Sequence, residues 1–402
     1  MSESDQHNPR PLEGIRVLEM GQLVAGPFAG CTLAYFGAEV IKIEAPGSGD
    51  PLRNWRVLRN GTSLWWHSLG RNKKSVTLNL RIDEGRQIAR RLALESDVLI
   101  ENFRPGTLEK WGMAPADLRR EKPDLVVARI SGYGQTGPYA SRPGFASVCE
   151  GIGGLRYING FPGQPPVRPN LSLGDTLAGL HCVIGILLAL VNRARTRQGQ
   201  GIDVAIYESV FNMLESVVPE YDGAGIVREP SGSTITGIAP TNTYLCADGK
   251  YVIIGGNGDS IFRRLMAAAG RPDLADDPRF ANNAGRVEHQ DEIDDAISKW
   301  TGSLTSGDVL ARLESAEVPC GPIYSVADMM SDPHFNARAL FEETQVVGGP
   351  LKIPALMPKL DRTPGGTRWT GPALGAHSRE VLCGLLGISD AEFRDLAARG
   401  IT

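Results

Sequence analysis

Short apolar runs alternate with segments of helical character along the N-terminal part of the chain. That alternation limits the fold more than any other feature. Ile15–Leu18, Val40–Ile43, Ser75–Leu80, Val98–Ile100 and Leu125–Ile130 have the length and β-branched content of strands. Between them, Pro27 to Tyr35–Phe36, Asp83–Glu95 and Thr107–Trp111 read as helices. Pro27 suits a first helical turn and Gly37 a stop. Strands alternating with helices predict an α/β layer architecture around a parallel or mixed sheet.

Beyond Ile130 the pattern changes. Residues 131–174 are rich in Gly, Pro and Tyr and predict loops. A long apolar helix is expected from Thr176 to about Arg195, and a strand-to-helix stretch from Ile202 to about Val218. Residues 222–242 read as a linker or active-site loop. Residues 243–325 form a candidate second domain, with hairpin strands Thr243–Leu245 and Tyr251–Ile254 and helices near 259–269, 288–300 and 306–316. Residues 326–402 end in an amphipathic helix, Asp390–Arg399. No period of the solenoid kind recurs.

Composition excludes several function classes. Lys+Arg 42 against Asp+Glu 46 gives a net charge of −4, which argues against a non-specific nucleic-acid binder. The 6 cysteines form no CxxC pair, so a zinc ribbon is not expected, and the 6 histidines show no metal-ligand spacing. The opening MSESDQHNPRPLEG has no apolar core, and the longest apolar run, Cys182–Val191, is too short for a bilayer. The expectation is a cytoplasmic protein with free thiols, no metal and no membrane contact.

Gly132-Tyr133-Gly134-Gln135-Thr136-Gly137 fits GxGxxG after a predicted strand. Pro138 and Pro143 follow where a dinucleotide site needs a crossover helix, so a nicotinamide cofactor is disfavoured. GxxxxGK[ST] and GxSxG are absent. Asp175 stands directly before the apolar helix. It reads as an N-cap, and also as a carboxylate kept ionised by the helix N-terminus and fit for nucleophilic attack. Arg71, Lys73 and Lys74, with Arg81 after the next strand, read as a solvated charge run or as a phosphate clamp. Asn102-Phe103-Arg104-Pro105-Gly106 follows strand 98–100, where open α/β sheets bind ligands.

Together these segments resemble the class III CoA-transferases, the family of formyl-CoA:oxalate CoA-transferase, carnitine CoA-transferase and α-methylacyl-CoA racemase. The resemblance runs through PLEGIRVLEMGQLVAGPFAG (11–30), FGAEVIKIEAPGSGD (36–50), GRNKKSVTLNL (70–80), SDVLIENFRPGTLEKWGM (96–113), ISGYGQTGPY (130–139) and LSLGDTLAGLHCVIGILLAL (171–190). It continues in PCGPIYSVADMMSDPHFNARALF (319–341) and GAHSREVLCGLLG (375–387). It implies an α/β fold with a Rossmann-like large domain built from both chain ends (10–221 and 326–402). A smaller α+β domain (243–325) is inserted, and two chains interlock as a homodimer.

The resemblance makes Asp175 the nucleophile, passing through an aspartyl anhydride and an aspartyl-CoA thioester. It places coenzyme A against Leu23, Val24, Ala25, Leu78, Arg81, Asn102, Phe103, Lys110 and Trp111, with Arg104 in the same loop. Family members often carry a basic residue after the IKIE strand. Here Ala45 and Pro46 stand there, which passes the nucleotide phosphate to Arg71, Lys73 or Lys74. The flap of formyl-CoA transferase is unmatched, and Ser231–Gly237 is its shorter counterpart. Phe145 occupies the place of the racemase histidine and cannot carry a proton. The expected activity is CoA transfer from succinyl-CoA to a small dicarboxylate such as glutarate, itaconate, malate or citramalate, with Arg53, Arg142, Phe145 and Arg168 near the acid. The alternatives are a 2-methylacyl-CoA racemase, a formyl-CoA:oxalate-type transferase and a non-catalytic CoA-binding protein.

Overall fold

Parallel strands covered on both faces need near-continuous apolar sequence, and the strand segments supply it. The computed structural model describes residues 9–402. Six strands, β1 (Arg16–Glu19), β2 (Glu39–Glu44), β3 (Lys73–Thr77), β4 (Val98–Glu101), β5 (Val126–Ser131) and β6 (Gly201–Ala205), form one sheet in the order β3-β2-β1-β4-β5-β6. Every pairing is parallel, with Val17 opposite Val40 on one side and Val98 on the other. The strand order reverses between β1 and β4, as in doubly wound nucleotide-binding sheets.

One face of the sheet is covered by α1 (Ala25–Tyr35) and the helix Leu173–Thr196, through Ala29, Leu33, Ala178, Cys182 and Ile186. The other is covered by α2 (Asp83–Leu94), whose Ile88, Ala89 and Leu92 point inward, and by helices Ser378–Gly384 and Asp390–Ala398. In α2, Asp83 and Glu84 open the helix and Arg91 closes it, matching its dipole. Val381, Leu382, Leu396 and Ile401 therefore share a core with Leu18, Ile41 and Val76.

The chain divides into two compact units. The one just described takes residues up to Leu155, then Pro169–Leu214 and His334–Thr402. The other takes Arg156–Arg168 and Glu215–Pro333. It has an antiparallel sheet of Cys320–Pro322, Tyr251–Gly255 and Thr241–Leu245. Helices Asp259–Ala268, Gln290–Thr301 and Ser306–Ser315 pack on it through Phe262, Leu265, Ile293, Ile297, Val309 and Leu313. Within this unit, Ser231–Gly237 is a tight turn: Ser231 Oγ donates to the Thr234 carbonyl and Thr234 Oγ1 to the Ser231 carbonyl, each at 2.8 Å.

One expectation is refined and one corrected. The loop-rich segment 131–174 also contains the short helices Ala146–Ile152 and Leu155–Ile158. The apolar run Cys182–Val191 lies inside a helix of 24 residues, long and apolar enough by itself to cross a membrane. Here that helix has Gly174, Ala178, Gly179, Cys182, Val183, Ile186 and Ala189 buried.

Candidate active site

The carboxyl ends of β1 and β4 lie side by side where the strand order reverses, and the segments leaving them are stitched together. Gln22 N–H donates to Asn102 Oδ1 at 2.8 Å, and Asn102 Nδ2 donates to the Gln22 carbonyl at 2.8 Å. Leu23 follows in the left-handed region, φ 65°, and its N–H donates to both Asp50 carboxylate oxygens at 3.1 and 3.2 Å. Helix α1 then starts with neither a capping side chain nor an acidic residue in its first turn. That leaves its positive end open to an anion. Phe103 and Trp111 meet edge to face at 4.9 Å, and Arg104 and Lys110 are exposed. Leu78 is buried just past β3 and Arg81 is exposed beyond it, at the same edge of the sheet. The structure thus brings Leu23, Val24, Ala25, Asn102 and Phe103 to one crevice.

The basic cluster behaves differently. Arg71 is fully buried. Its guanidinium donates to the carbonyls of Ser68 at 2.6 Å and Pro354 at 2.7 Å and to Ser68 Oγ at 2.6 Å. Lys73 is also buried, paired with Glu19 at 2.7 Å. Lys74, at the opposite edge of the sheet, bridges Glu39 and Glu380, both at 2.7 Å. This corrects both readings for Arg71 and Lys73, which are neither solvated nor open because their acceptors are internal, while Lys74 is partly exposed and held by two carboxylates. Arg53 is corrected in the same way. Its guanidinium grips Glu44 through two bonds of 2.7 Å, donates to the Pro372 carbonyl at 3.0 Å and stacks 3.8 Å over Trp66.

What holds the crevice from beneath was not singled out from sequence. Lys42 Nζ reaches Glu19 at 2.9 Å, Asp50 at 2.8 Å and the Gly21 carbonyl at 2.8 Å. Lys73 Nζ reaches the Pro27 carbonyl at 2.7 Å. Burial alone would lower the Lys42 pKa, but the Asp50 and Glu19 carboxylates outweigh it and hold the ammonium above its ordinary range. For Lys73 burial prevails and the value falls. Gly30 leaves room for Glu19, because a Cβ at that position would sit 1.9 Å from Glu19 Oε2 and displace it from its ion pairs. The signal was present: Glu19 and Lys42 are charged positions inside otherwise apolar strand runs.

Asp175 lies further along the same edge. Helix α4 (Leu173–Thr196) begins two residues before it, so Asp175 is in the first turn and is not the N-cap. Ser172 holds the cap position without a side-chain bond. The buried carboxylate of Glu150, on α3 (Ala146–Ile152), instead accepts the Gly174 N–H at 3.2 Å. Cys149 beside it donates to the Gly132 carbonyl at 3.3 Å. Burial, with the Asp175 and Glu150 charges adding, pushes its thiol up to about 11. A Cβ on Gly132 would meet the Gly144 backbone at 3.0 Å, so the GxGxxG turn and the segment leading into α3 pack closely there because both positions are glycine. No helix opens on that motif before Ala146, in keeping with the case against a nicotinamide site.

Arg142 is exposed and stacks 3.6 Å over Tyr139. Phe145, 73% exposed, precedes α3. Arg168 belongs to the second unit. His181 is occupied structurally, its ring bonded to the Leu177 carbonyl at 2.9 Å and to Asn212 at 3.2 Å. Among the described residues, no group of three or more His, Cys, Asp or Glu is arranged for a metal ion.

The profile of CoA-transferase family III matches residues 12–378. The chain belongs to that family. It is an enzyme of this class, whose cosubstrates are CoA thioesters. It is 47% identical to the succinyl-CoA–D-citramalate CoA-transferase of Chloroflexus aurantiacus, covering 99% of this chain and 100% of that protein. It is 44% identical to the alpha subunit of the succinyl-CoA–L-malate CoA-transferase of the same organism, over 97% of this chain and 92% of that one. A CAIB/BAIF family protein from Brucella suis superposes with a TM-score of 0.82 at 35% identity, covering 94% of this chain and all of that one.

Proposed function

We propose that this family III transferase moves CoA from succinyl-CoA to a small dicarboxylate of the citramalate or malate type, with Asp175 as nucleophile. The near full-length likeness to a succinyl-CoA–D-citramalate CoA-transferase carries the reading. In it, the Asp175 carboxylate attacks the thioester carbonyl. A C–O bond forms, the C–S bond breaks, and CoA leaves as thiolate. The thiolate attacks the aspartyl carbonyl and expels succinate, leaving an aspartyl-CoA thioester. The acceptor carboxylate then displaces CoA to give a second anhydride. CoA returns to the acceptor's carbonyl and frees Asp175. Each intermediate is an activated acyl group, so water must be kept out while it lasts.

The crevice between β1 and β4 would hold the CoA moiety through Leu23, Val24, Ala25, Asn102 and Phe103, with Leu78 and Trp111 alongside. Arg81, Arg104 and Lys110 are the exposed cations left for its phosphates, since Arg71 and Lys73 are buried and Lys74 is held by Glu39 and Glu380. Arg142 would meet the acceptor's distal carboxylate, since Arg53 is committed to Glu44. A racemase would need a second proton-transfer group where Phe145 stands. We propose the cytoplasm as the site of the reaction, a reducing compartment in which cysteines stay as thiols.

We further propose an interlocked homodimer. Mixing tagged and untagged protein should then give no hybrids without unfolding, and rapid exchange would refute it. The activity is tested by incubating the protein with succinyl-CoA and citramalate, malate, itaconate, glutarate, oxalate or butyrate, and following acyl-CoA by mass spectrometry. Failure to form any new acyl-CoA would overturn the reading.

A further inference from the structure

Four side chains beneath the crevice, Glu19, Lys42, Asp50 and Lys73, are no more than 1% exposed and joined end to end by ion pairs. Buried pairs contribute little net stability over apolar packing of the same volume, so their number alone does not explain them. Their second contacts do. Lys42 holds the Gly21 carbonyl, Asp50 the Leu23 N–H and Lys73 the Pro27 carbonyl. Asn102 takes both backbone polar groups of Gln22. The backbone from Gly21 to Pro27 is therefore fixed at four residues. In its middle stands Leu23 at φ 65°, a conformation that a side chain disfavours and that persists only when its surroundings impose it.

We propose that Asp50, itself fixed by Lys42, is a positioning residue: it locks Leu23 in the left-handed conformation, so that the turn into α1 is preformed for the CoA cosubstrate. The inference rests on the CoA-binding reading above. Its energetic logic is preorganisation. A free Leu23 would return to the right-handed or extended region and would have to be reordered at each binding event.

The test is a double-mutant cycle read by calorimetry with CoA, by steady-state kinetics with succinyl-CoA, and by thermal unfolding. Asp50→Asn keeps shape but loses the charge that pairs with Lys42. Leu23→Val leaves the ion chain whole, but a β-branched residue resists positive φ. Each should raise the Kd for CoA and the KM for succinyl-CoA roughly tenfold, with kcat changed less than about twofold. Because both act on one joint, the double variant should bind no worse than the weaker single variant. Tm and Kd should also part company, Leu23→Val losing affinity with little loss of Tm.

Losses that multiply in the double variant would overturn the proposal. So would wild-type affinity in Leu23→Val, which also decides the matter if Asp50→Asn fails to fold. Wild-type protein that binds no CoA would remove the CoA-binding reading itself, and the positioning role with it.

Discussion

Arg53→Met separates two roles that one arginine could have. In the structure Glu44 is fully buried and accepts two Arg53 N–H groups at 2.7 Å, Ser75 Oγ at 2.6 Å and the Asp50 N–H at 2.9 Å. Methionine fills much of the volume but leaves Glu44 without its cation. Removing one partner of a buried pair costs about 3–5 kcal/mol. Losing the stack on Trp66 adds about 1 kcal/mol. At roughly 2–4 °C per kcal/mol for a unit of this size, Tm should fall by roughly 8–24 °C.

The pH dependence has a definite sign. Burial pushes the Glu44 carboxyl up, but the Arg53 hydrogen bonds and the Lys42 charge bring it below its ordinary value. A depressed folded-state value means that the stabilisation is complete above the unfolded-state value of about 4.3. It is lost as pH falls through the folded value. The wild type should keep this contribution at pH 5 and lose it under stronger acid, whereas Arg53→Met should unfold at higher pH. Adding Glu44→Gln should recover part of the loss, because the uncompensated charge is gone. Urea melts and a kcat/KM comparison of citramalate with butyrate decide the matter. An Arg53→Met protein with wild-type Tm and a lost diacid preference would refute the structural role and return Arg53 to the substrate.

Asp175→Asn should reduce turnover to about a thousandth or less. Wild-type turnover would exclude covalent catalysis. Arg142→Met should cost roughly a hundredfold in kcat/KM for malate or citramalate and little for butyrate, and equal losses for all acids would remove Arg142 from the acceptor site. Neutralising Arg81, Arg104 or Lys110 should weaken CoA binding by about 1.5–3 kcal/mol for each charge-assisted bond to a phosphate. Dephospho-CoA should be spared at the residue that meets the 3′-phosphate, and unchanged affinity in all three would make them solvent-facing charges.

The sheet was legible because parallel strands buried on both faces must be apolar, and Val98–Ile100 and Leu125–Ile130 have no other use for that composition. The start of α4 was misplaced for an equally physical reason. Asp175 competes with Ser172 as a cap residue in the sequence, and the Gly174 N–H is taken by Glu150 from a different helix, which no local pattern reveals. Arg71 looked exposed because runs of charge usually are. Its acceptors include the Pro354 carbonyl, and Asn72 beside it bonds Trp369, partners from the far end of the chain that no local pattern reveals. Glu19 and Lys42 could have been found, since a charge in the middle of a doubly covered strand must have a buried partner.

The return of the chain's last segment to the first sheet also fixes when the protein can fold. Asn79 N–H donates to the Ile401 carbonyl at 2.8 Å, Thr402 Oγ1 to the Thr77 carbonyl at 2.8 Å, and Val381, Leu382 and Leu396 fill one face of strands made at the outset. At ~5–20 residues per second, synthesis of the stretch between β5 and these helices takes on the order of tens of seconds. Throughout that interval the β1–β3 face has only α2 to cover it, and the surface that Val381, Leu382 and Leu396 later fill is open to chaperones and proteases. A nascent chain halted before Ser378 should be cut within residues 15–130, and one allowed to emerge through Thr402 should be protected. The ribosome, rather than the intrinsic speed of strand pairing, then sets the pace at which this large unit closes.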